Sequence, residues 1–364
     1  MPTSEFEHKQ ARLQALRSER GLDAILLQRV SSFAWATCGA ASYVNLAVTQ
    51  GPSSLLVTPA ERILITNNIE APRLEQEEVA SQGWRFEVAP WHRAQEVVTR
   101  LVQGLRLGAD GRYPGAVDLS AELARLRAGL TPEEGERFRS LGALCAQAMA
   151  AAARATRPGQ TEQQIAARLA CEAMARGVQP IVNLIAADER ILRFRHPLPT
   201  DRALERCVML VLGGRRQGLV CSLTRLVHFG RLPDELRQRA LAVAQVDATL
   251  IAATRPGRTL GDVLERGIAA YTESGFADEW QLHHQGGAAG YEPREYLATP
   301  GSADVVAGGQ AYAWNPSITG AKSEDTILVG QNGNEVVTAM AEWPTTRVSV
   351  EGGWLLRPAI LEVL

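Results

Sequence analysis

The chain is expected to be an α/β (α+β) protein of two domains, and three observations point there. Its 364 residues exceed the roughly 150 that one domain ordinarily takes. Short apolar runs bounded by turn residues alternate with helical stretches along the first third, the pattern of strands between helices. Further on, a seven-residue word occurs twice with one change, Gln160 for Arg258: Ala155-Thr156-Arg157-Pro158-Gly159-Gln160-Thr161 returns as Ala253-Thr254-Arg255-Pro256-Gly257-Arg258-Thr259. Each copy closes a long helix and opens another, so the second domain should be an internal duplication around a pseudo-twofold axis rather than a longer repeat array.

Within the first domain, apolar Phe6, Leu13 and Leu16 recur at helical spacing from Glu5 to Arg20, and Gly21 ends that pattern. Asp23 to Leu27 follows as a strand. Ser54–Val57 and Arg62–Ile65 flank a Thr-Pro-Ala turn and should pair. Helical stretches near 68–78 and 93–104 complete the unit. A Gly- and Pro-rich segment, Leu107 to Gly115, precedes the domain boundary, expected between 120 and 132.

The second domain opens at Thr131-Pro132-Glu133-Glu134, with a capping threonine, proline at the first helical position and acids in the first turn. The alanine run Ala148 to Ala153 belongs to that helix. Thr161 with Gln164 has the form of a capping box, and Thr259 with Asp262 that of a capped acidic turn. Strands should follow each helix pair: Ile181–Ile185, Cys207–Leu212 and Leu219–Phe229 in the first copy, then Gln310–Trp314 and Thr326–Val329 leading to a hairpin at Asn332-Gly333-Asn334 in the second.

Composition excludes several classes. With 46% hydrophobic and 21% charged residues the chain is neither disordered nor collagenous. Lys plus Arg number 38 against 40 Asp plus Glu, so no basic excess calls for nucleic acid as a partner. No basic segment with an apolar core opens the sequence at Met1-Pro2-Thr3-Ser4, and no run of eighteen apolar residues follows, so a cytoplasmic protein with no membrane partner is expected. Five cysteines without a CxxC pair read as small buried hydrophobes, with Cys221 the one kept in view.

The chemistry-bearing candidates begin with the histidines. His196 lies in a proline-pinned loop, Arg195-His196-Pro197-Leu198-Pro199-Thr200-Asp201, where a side chain can face a cleft free of helix or sheet constraint. His283 and His284 stand before Gln285-Gly286-Gly287-Ala288-Ala289-Gly290, and glycines beside paired imidazoles imply close approach of the backbone to something. Gly290-Tyr291-Glu292-Pro293-Arg294, Trp314-Asn315-Pro316 and Lys322-Ser323-Glu324-Asp325-Thr326 add polar groups, each of which alone could be a solvated face.

In that order these motifs resemble the creatinase, prolidase, aminopeptidase P and methionine aminopeptidase superfamily, whose catalytic domain is the pita-bread fold. The resemblance implies a creatinase/prolidase-like N-terminal domain over 1–125, a pita-bread domain over 130–350 and a tail over 351–364. It implies that His196 is the substrate-contacting loop histidine, that His284, or else His283, is the metal-ligand histidine, and that Glu324 is the last ligand glutamate. The two metal-binding aspartates fall on Val211 and Ser222, and the glutamate of the family's Glu-Pro falls on Asn315. Only His284 and Glu324 therefore remain of five ligands, too few donors for a two-metal cluster, and no metal or other cofactor is expected.

The favoured function is a metal-independent hydrolase of the Xaa-Pro dipeptidase or creatinase type, cutting an amide or amidino C–N bond in a small molecule or dipeptide. His196 serves as general acid and base, with His284 and Glu324 catalytic beside it. His283, Tyr291, Arg294 and Asn315 bind substrate. A noncatalytic pseudopeptidase that binds a peptide or metabolite is one alternative, and a metal-dependent proline dipeptidase another. Cys221 or Ser222 as nucleophile would need a base within hydrogen-bond reach. A homodimer is implied by the resemblance alone.

Overall fold

A computed structural model describes residues 4–331 and 333–364 of the chain, which therefore leaves Met1 to Thr3 and Asn332 of the motifs above outside the described residues. It divides into two compact units, one formed by Met1–Arg127 with Gln217–Leu219, the other by Ala128–Arg216 with Val220–Leu364.

The first unit is built on a six-stranded sheet in the order Arg85–Ala89, Arg62–Asn67, Gln50–Val57, Ala24–Arg29, Leu107–Ala109, Val117–Asp118. Gln50–Val57 is antiparallel to both neighbours, with Leu27 opposite Leu55 and Leu56 opposite Ile63, while the outer pairings are parallel. Leu26, Leu56, Ile63, Ile65 and Leu107 pack with Val98 of the helix Ala94–Val102. The N-terminal helix runs Glu5–Glu19, capped by Ser4, whose hydroxyl accepts from the Glu7 amide. The helical stretch expected near 68–78 is present, as an α-helical start over Ala71–Arg73 that continues as a π-helix over Leu74–Glu78.

In the second unit the two copies of the repeated word make the same bonds. Thr161 caps the helix Glu162–Met174 and Thr259 caps Leu260–Glu273, each accepting from the amide three residues on. Thr156 and Thr254 end the preceding helices, Pro132–Ala155 and Asp234–Ala253, and each hydroxyl donates to the carbonyl four residues back. Gly159 and Gly257 share a left-handed backbone, φ 87° and 89°, and their amides donate to Leu204 and Val306 respectively. Thr161 bridges Ala203 as Thr259 bridges Val305. The words recur because the same turn is built twice.

Each helix pair backs a sheet. The first holds Gln179–Ala187, Cys207–Arg216 and Leu219–Phe229, the second Tyr296–Leu297, Gly286–Ala289, Ala311–Trp314, Asp325–Val329 and Asn334–Val336, in that spatial order. The expected hairpin is present, with Val329 opposite Asn334. Residues 351–364, expected as a tail, are strands: Gly353–Pro358 pairs with Thr345–Val350, and Leu361–Val363 joins Leu219–Phe229 in parallel. Arg357, 1% exposed, bonds Asp247 and Asp325, so this segment belongs to the core of the unit. Among the described residues no helix is long and apolar enough to cross a membrane.

Candidate active site

The site lies within the second unit, where strands of both copies converge. Thr224 of the first sheet bridges Glu324, its amide donating to the Glu324 carbonyl at 3.1 Å. Val220 likewise donates to Gly290 at 2.9 Å. Between these contacts opens a pocket of about 130 Å³. Its lining includes apolar Val182, Leu184 and Val211, which pack together on one face of the first sheet, and polar His196, Ser222, His284, Arg294, Asn315, Lys322 and Glu324.

The loop that carries His196 is held by two carboxylates, Glu162 and Asp188, rather than by secondary structure. Glu162, fully buried, accepts from the amides of Ala187 and Thr200 and from the Thr200 hydroxyl. Asp188 accepts from the amides of Glu205, Arg206 and Cys207. Arg195 pairs with Glu279, and its guanidinium also reaches the Thr319 hydroxyl at 3.1 Å. Glu279 opens the short 3₁₀ turn Glu279–Leu282, so this ion pair fastens the His196 loop to the segment leading into His283 and His284.

His196, His283 and His284 accordingly come together. Nε2 of His196 lies 3.0 Å from Nε2 of His283, and the rings of His283 and His284 stack with centroids 4.4 Å apart. One nitrogen from each ring falls within 4.8 Å of the others. Desolvation, with Lys322 next in importance, pushes His283 down to about 2; desolvation and Arg294 push His284 down to about 4. Burial lowers His196 as well. All three imidazoles are therefore neutral near pH 7. The neighbouring glycines serve the sheet: a Cβ on Gly286 would stand 2.2 Å from the Ala313 carbonyl oxygen and one on Gly287 2.1 Å from that of Tyr296. The close approach expected there is to neighbouring strands.

Glu324 is 3% exposed and surrounded by cations. Lys322 Nζ lies 2.9 Å from its Oε2, Arg294 Nη2 lies 3.3 Å from its Oε1, and the Thr224 hydroxyl donates to Oε2 at 2.6 Å. Burial alone would raise this carboxyl, but Lys322 and then Arg294 outweigh it and hold the group down at about 2. Asn315, also 3% exposed, has a carbonyl oxygen with no hydrogen-bond partner, and the Arg294 Nε is likewise unpartnered.

Of the residues expected from sequence, His196, His284, Glu324, Arg294 and Asn315 line this one pocket, together with Val211 and Ser222; His283 touches His196 at its edge. Tyr291 does not line it. Its hydroxyl donates to Glu134 at 2.6 Å and the residue is 3% exposed, so it packs against the helix Pro132–Ala155 rather than facing the pocket where it was expected. Cys221 is fully buried and desolvation pushes its thiol up to about 12, so it is no nucleophile. The residue that sequence reasoning passed over is Lys322. Its signal was its spacing: positions 322 and 324 of an extended segment point to the same side.

The fold is that of a pita-bread protein. Residues 136–331 match metallopeptidase family M24, and the chain belongs to that family. It is 31% identical over 194 residues to an uncharacterized peptidase of Staphylococcus saprophyticus, an alignment covering 50% of this chain and 54% of that protein. The chain thus spans about half the length of that curated relative. Among solved structures it is similar to the prolidase of Pyrococcus horikoshii, with TM-score 0.80 and 18% identity over 92% of this chain and 98% of that one. It is similar also to the Xaa-Pro dipeptidase of Bacillus anthracis, with TM-score 0.80 and 19% identity over 98% and 100%. At these identities the structural likeness establishes the two-domain fold.

Proposed function

We propose that the chain is a metal-independent hydrolase of a C–N bond, amide or amidino, in a small molecule or dipeptide. The observation that carries this reading is the neutral imidazole pair, His196 and His283, meeting at 3.0 Å beside the pocket. A neutral imidazole is the side chain best suited to accept and return a proton near pH 7. In the reaction, His196 accepts a proton from a water as the oxygen attacks the carbonyl carbon. The same proton goes to the leaving nitrogen as the C–N bond breaks, so the histidine ends neutral. His283 holds the His196 ring, His284 lines the pocket beside it, and the Asn315 amide donates to the carbonyl oxygen as charge develops there.

The two-metal cluster of the wider family does not fit these residues. Val211 and Ser222 supply no carboxylate and Asn315 is neutral. Both oxygens of Glu324 already face cations, Arg294 on one and Lys322 on the other. A divalent ion there would meet two fixed positive charges with one carboxylate to offset them. This supports metal independence and argues against the metal-dependent proline dipeptidase. The family resemblance further supports a cytoplasmic homodimer, which sedimentation at micromolar concentration tests.

The test of the reaction is a turnover screen of Xaa-Pro dipeptides, N-acyl amino acids and guanidino acids with and without chelator. Turnover indifferent to chelator and reduced about 10²- to 10⁴-fold by His196→Asn is expected. Activity abolished by chelator restores the metal-dependent alternative. Binding without turnover of any compound makes the chain a noncatalytic pseudopeptidase.

A further inference from the structure

We propose that the place where the fold would hold its metal ions is inverted in charge in this chain: the Lys322 ammonium occupies the cation's role, and with Arg294 it takes the carboxylate of a short branched aliphatic acid. The inference rests on the pocket of the preceding reading, but concerns what binds there and holds whether or not the bound molecule is cut.

Charge is the first argument. Lys322 and Arg294 contribute two positive charges and Glu324 one negative, so the polar side of the pocket carries a net charge of +1 when the histidines are neutral. Lys322 and Glu324 are almost fully buried, each side chain 4% exposed, and the Arg294 side chain is 11% exposed. Water cannot disperse this charge as it would at the surface, and a buried excess of one sign attracts a counter-ion into the pocket.

Hydrogen bonding is the second. Glu324 accounts for one of the three donors on the Lys322 ammonium. Arg294 keeps its Nε–H without a partner, and the Asn315 side-chain oxygen is likewise unsatisfied in the same pocket. Turned about its terminal bond, the Asn315 amide presents NH₂ to the same spot. Buried donors left open are costly unless a ligand completes them, and a planar carboxylate, with two oxygens and four lone pairs, accepts from several donors at once.

Shape and polarity of the far wall choose the rest of the ligand. Val211 stands where the resemblance calls for an acidic ligand, and Val182 and Leu184, packed with it on the same face of the sheet, extend the apolar surface around it. With about 130 Å³ available, the pocket suits a branched chain of a few carbons on the carboxylate. It excludes a second charge, which would lie unpaired against the apolar wall.

Equilibrium binding tests this without any turnover, using isovalerate as probe against its neutral isostere isovaleramide, the cation isoamylamine, the short acid acetate and inorganic phosphate. Calorimetry on the full-length chain should show isovalerate bound at least about tenfold more tightly than isovaleramide or acetate, with isoamylamine not bound. Lys322→Met and Arg294→Met should each remove the preference for the acid over the amide, and Val211→Asp should abolish acid binding. The wild-type comparison needs no variant to fold. Equal affinity for acid and amide, preference for the amine, phosphate bound more tightly than isovalerate, or no binding of isovalerate overturns the proposal. Isovalerate binding by a protein that hydrolyses nothing would leave this inference standing and remove the hydrolase; turnover of amides with no preference for a carboxylate would do the reverse.

Discussion

Nε2 of His196 and Nε2 of His283 face each other at 3.0 Å, from positions 87 residues apart. A single proton lies between the two nitrogens, because two N–H groups pointing at each other would clash and two lone pairs would repel. The contact therefore requires that the rings are not both charged. His283 is pushed to about 2 and His284 to about 4, against an ordinary value near 6.5.

A dependence of stability on pH follows from those shifts. Below pH 6.5 the unfolded chain binds protons that the folded rings refuse, so these groups make folding less favourable as pH falls from about 6.5 towards 4. Glu324, depressed to about 2 from an ordinary 4.5, adds stability that is present above 4.5 and lost as pH falls through 2. The melting temperature should thus be flat with respect to these groups above pH 7 and decline on acidification. His283→Gln should flatten the limb between pH 6.5 and 4. A melting temperature that rises on acidification over that interval would contradict the assignment.

Glu324→Gln removes the one carboxylate facing two nearly buried cations. It should cost about 3–5 kcal/mol, the penalty of leaving buried charge uncompensated, while the double change with Lys322→Met should recover a large part of that loss. Urea unfolding midpoints measure both. A loss in the single variant below about 1 kcal/mol would place the pair in an effectively aqueous setting.

Manganese, which prefers oxygen-rich sites, should leave the melting temperature of the wild type unchanged, since any ligand bound only by the folded state would raise it. Thermal shift over a range of concentrations checks this. A rise that saturates at one or two ions per chain would show a metal site where Lys322 and Glu324 now pair.

Arg195→Met breaks the ion pair with Glu279 that ties the histidine loop to the segment before His283. Because His196 itself is untouched, the variant should keep the fold and lower turnover about tenfold or more through misplacement of the ring. The side-chain resonances of His196 and His283 in nitrogen NMR should lose their mutual contact. Unchanged turnover together with unchanged resonances would show that the loop is held by Glu162 and Asp188 alone.

Arg357→Met should destabilise the second unit by about 3–5 kcal/mol, because Asp247 and Asp325 would be left buried with one fewer cation. Removal of residues 353–364 should unfold that unit, seen as loss of its cooperative melting transition. A truncated chain that melts normally would return this segment to the status of a tail.

Much of this was legible in the sequence where the controlling physics is local. Thr131, Thr161 and Thr259 cap helices because a hydroxyl needs only the amide three residues on. The repeated word announced the duplication because each copy must make the same turn, with glycine at the left-handed position. The helical character of 68–78 was legible too, though not that its second half is a π-helix, whereas the glycines after His284 looked like a ligand approach and proved to be strand packing.

The sequence by itself determined the two-part α/β order, the duplicated turn, and the absence of carboxylates at Val211, Ser222 and Asn315, since these depend on residue identity and on neighbours a few positions away. The tertiary structure decided what replaces those carboxylates. Lys322 ends a two-residue strand and Glu324 lies just beyond it, Arg294 comes from a loop 30 residues before Glu324, Thr224 from the other half of the duplication, and the aliphatic lining from the first copy's sheet. Each is an ordinary residue in the linear chain. Their meaning as a cationic, half-apolar pocket arises only when the two sheets converge and exclude water, because the value of a charge is set by the dielectric and the partners around it.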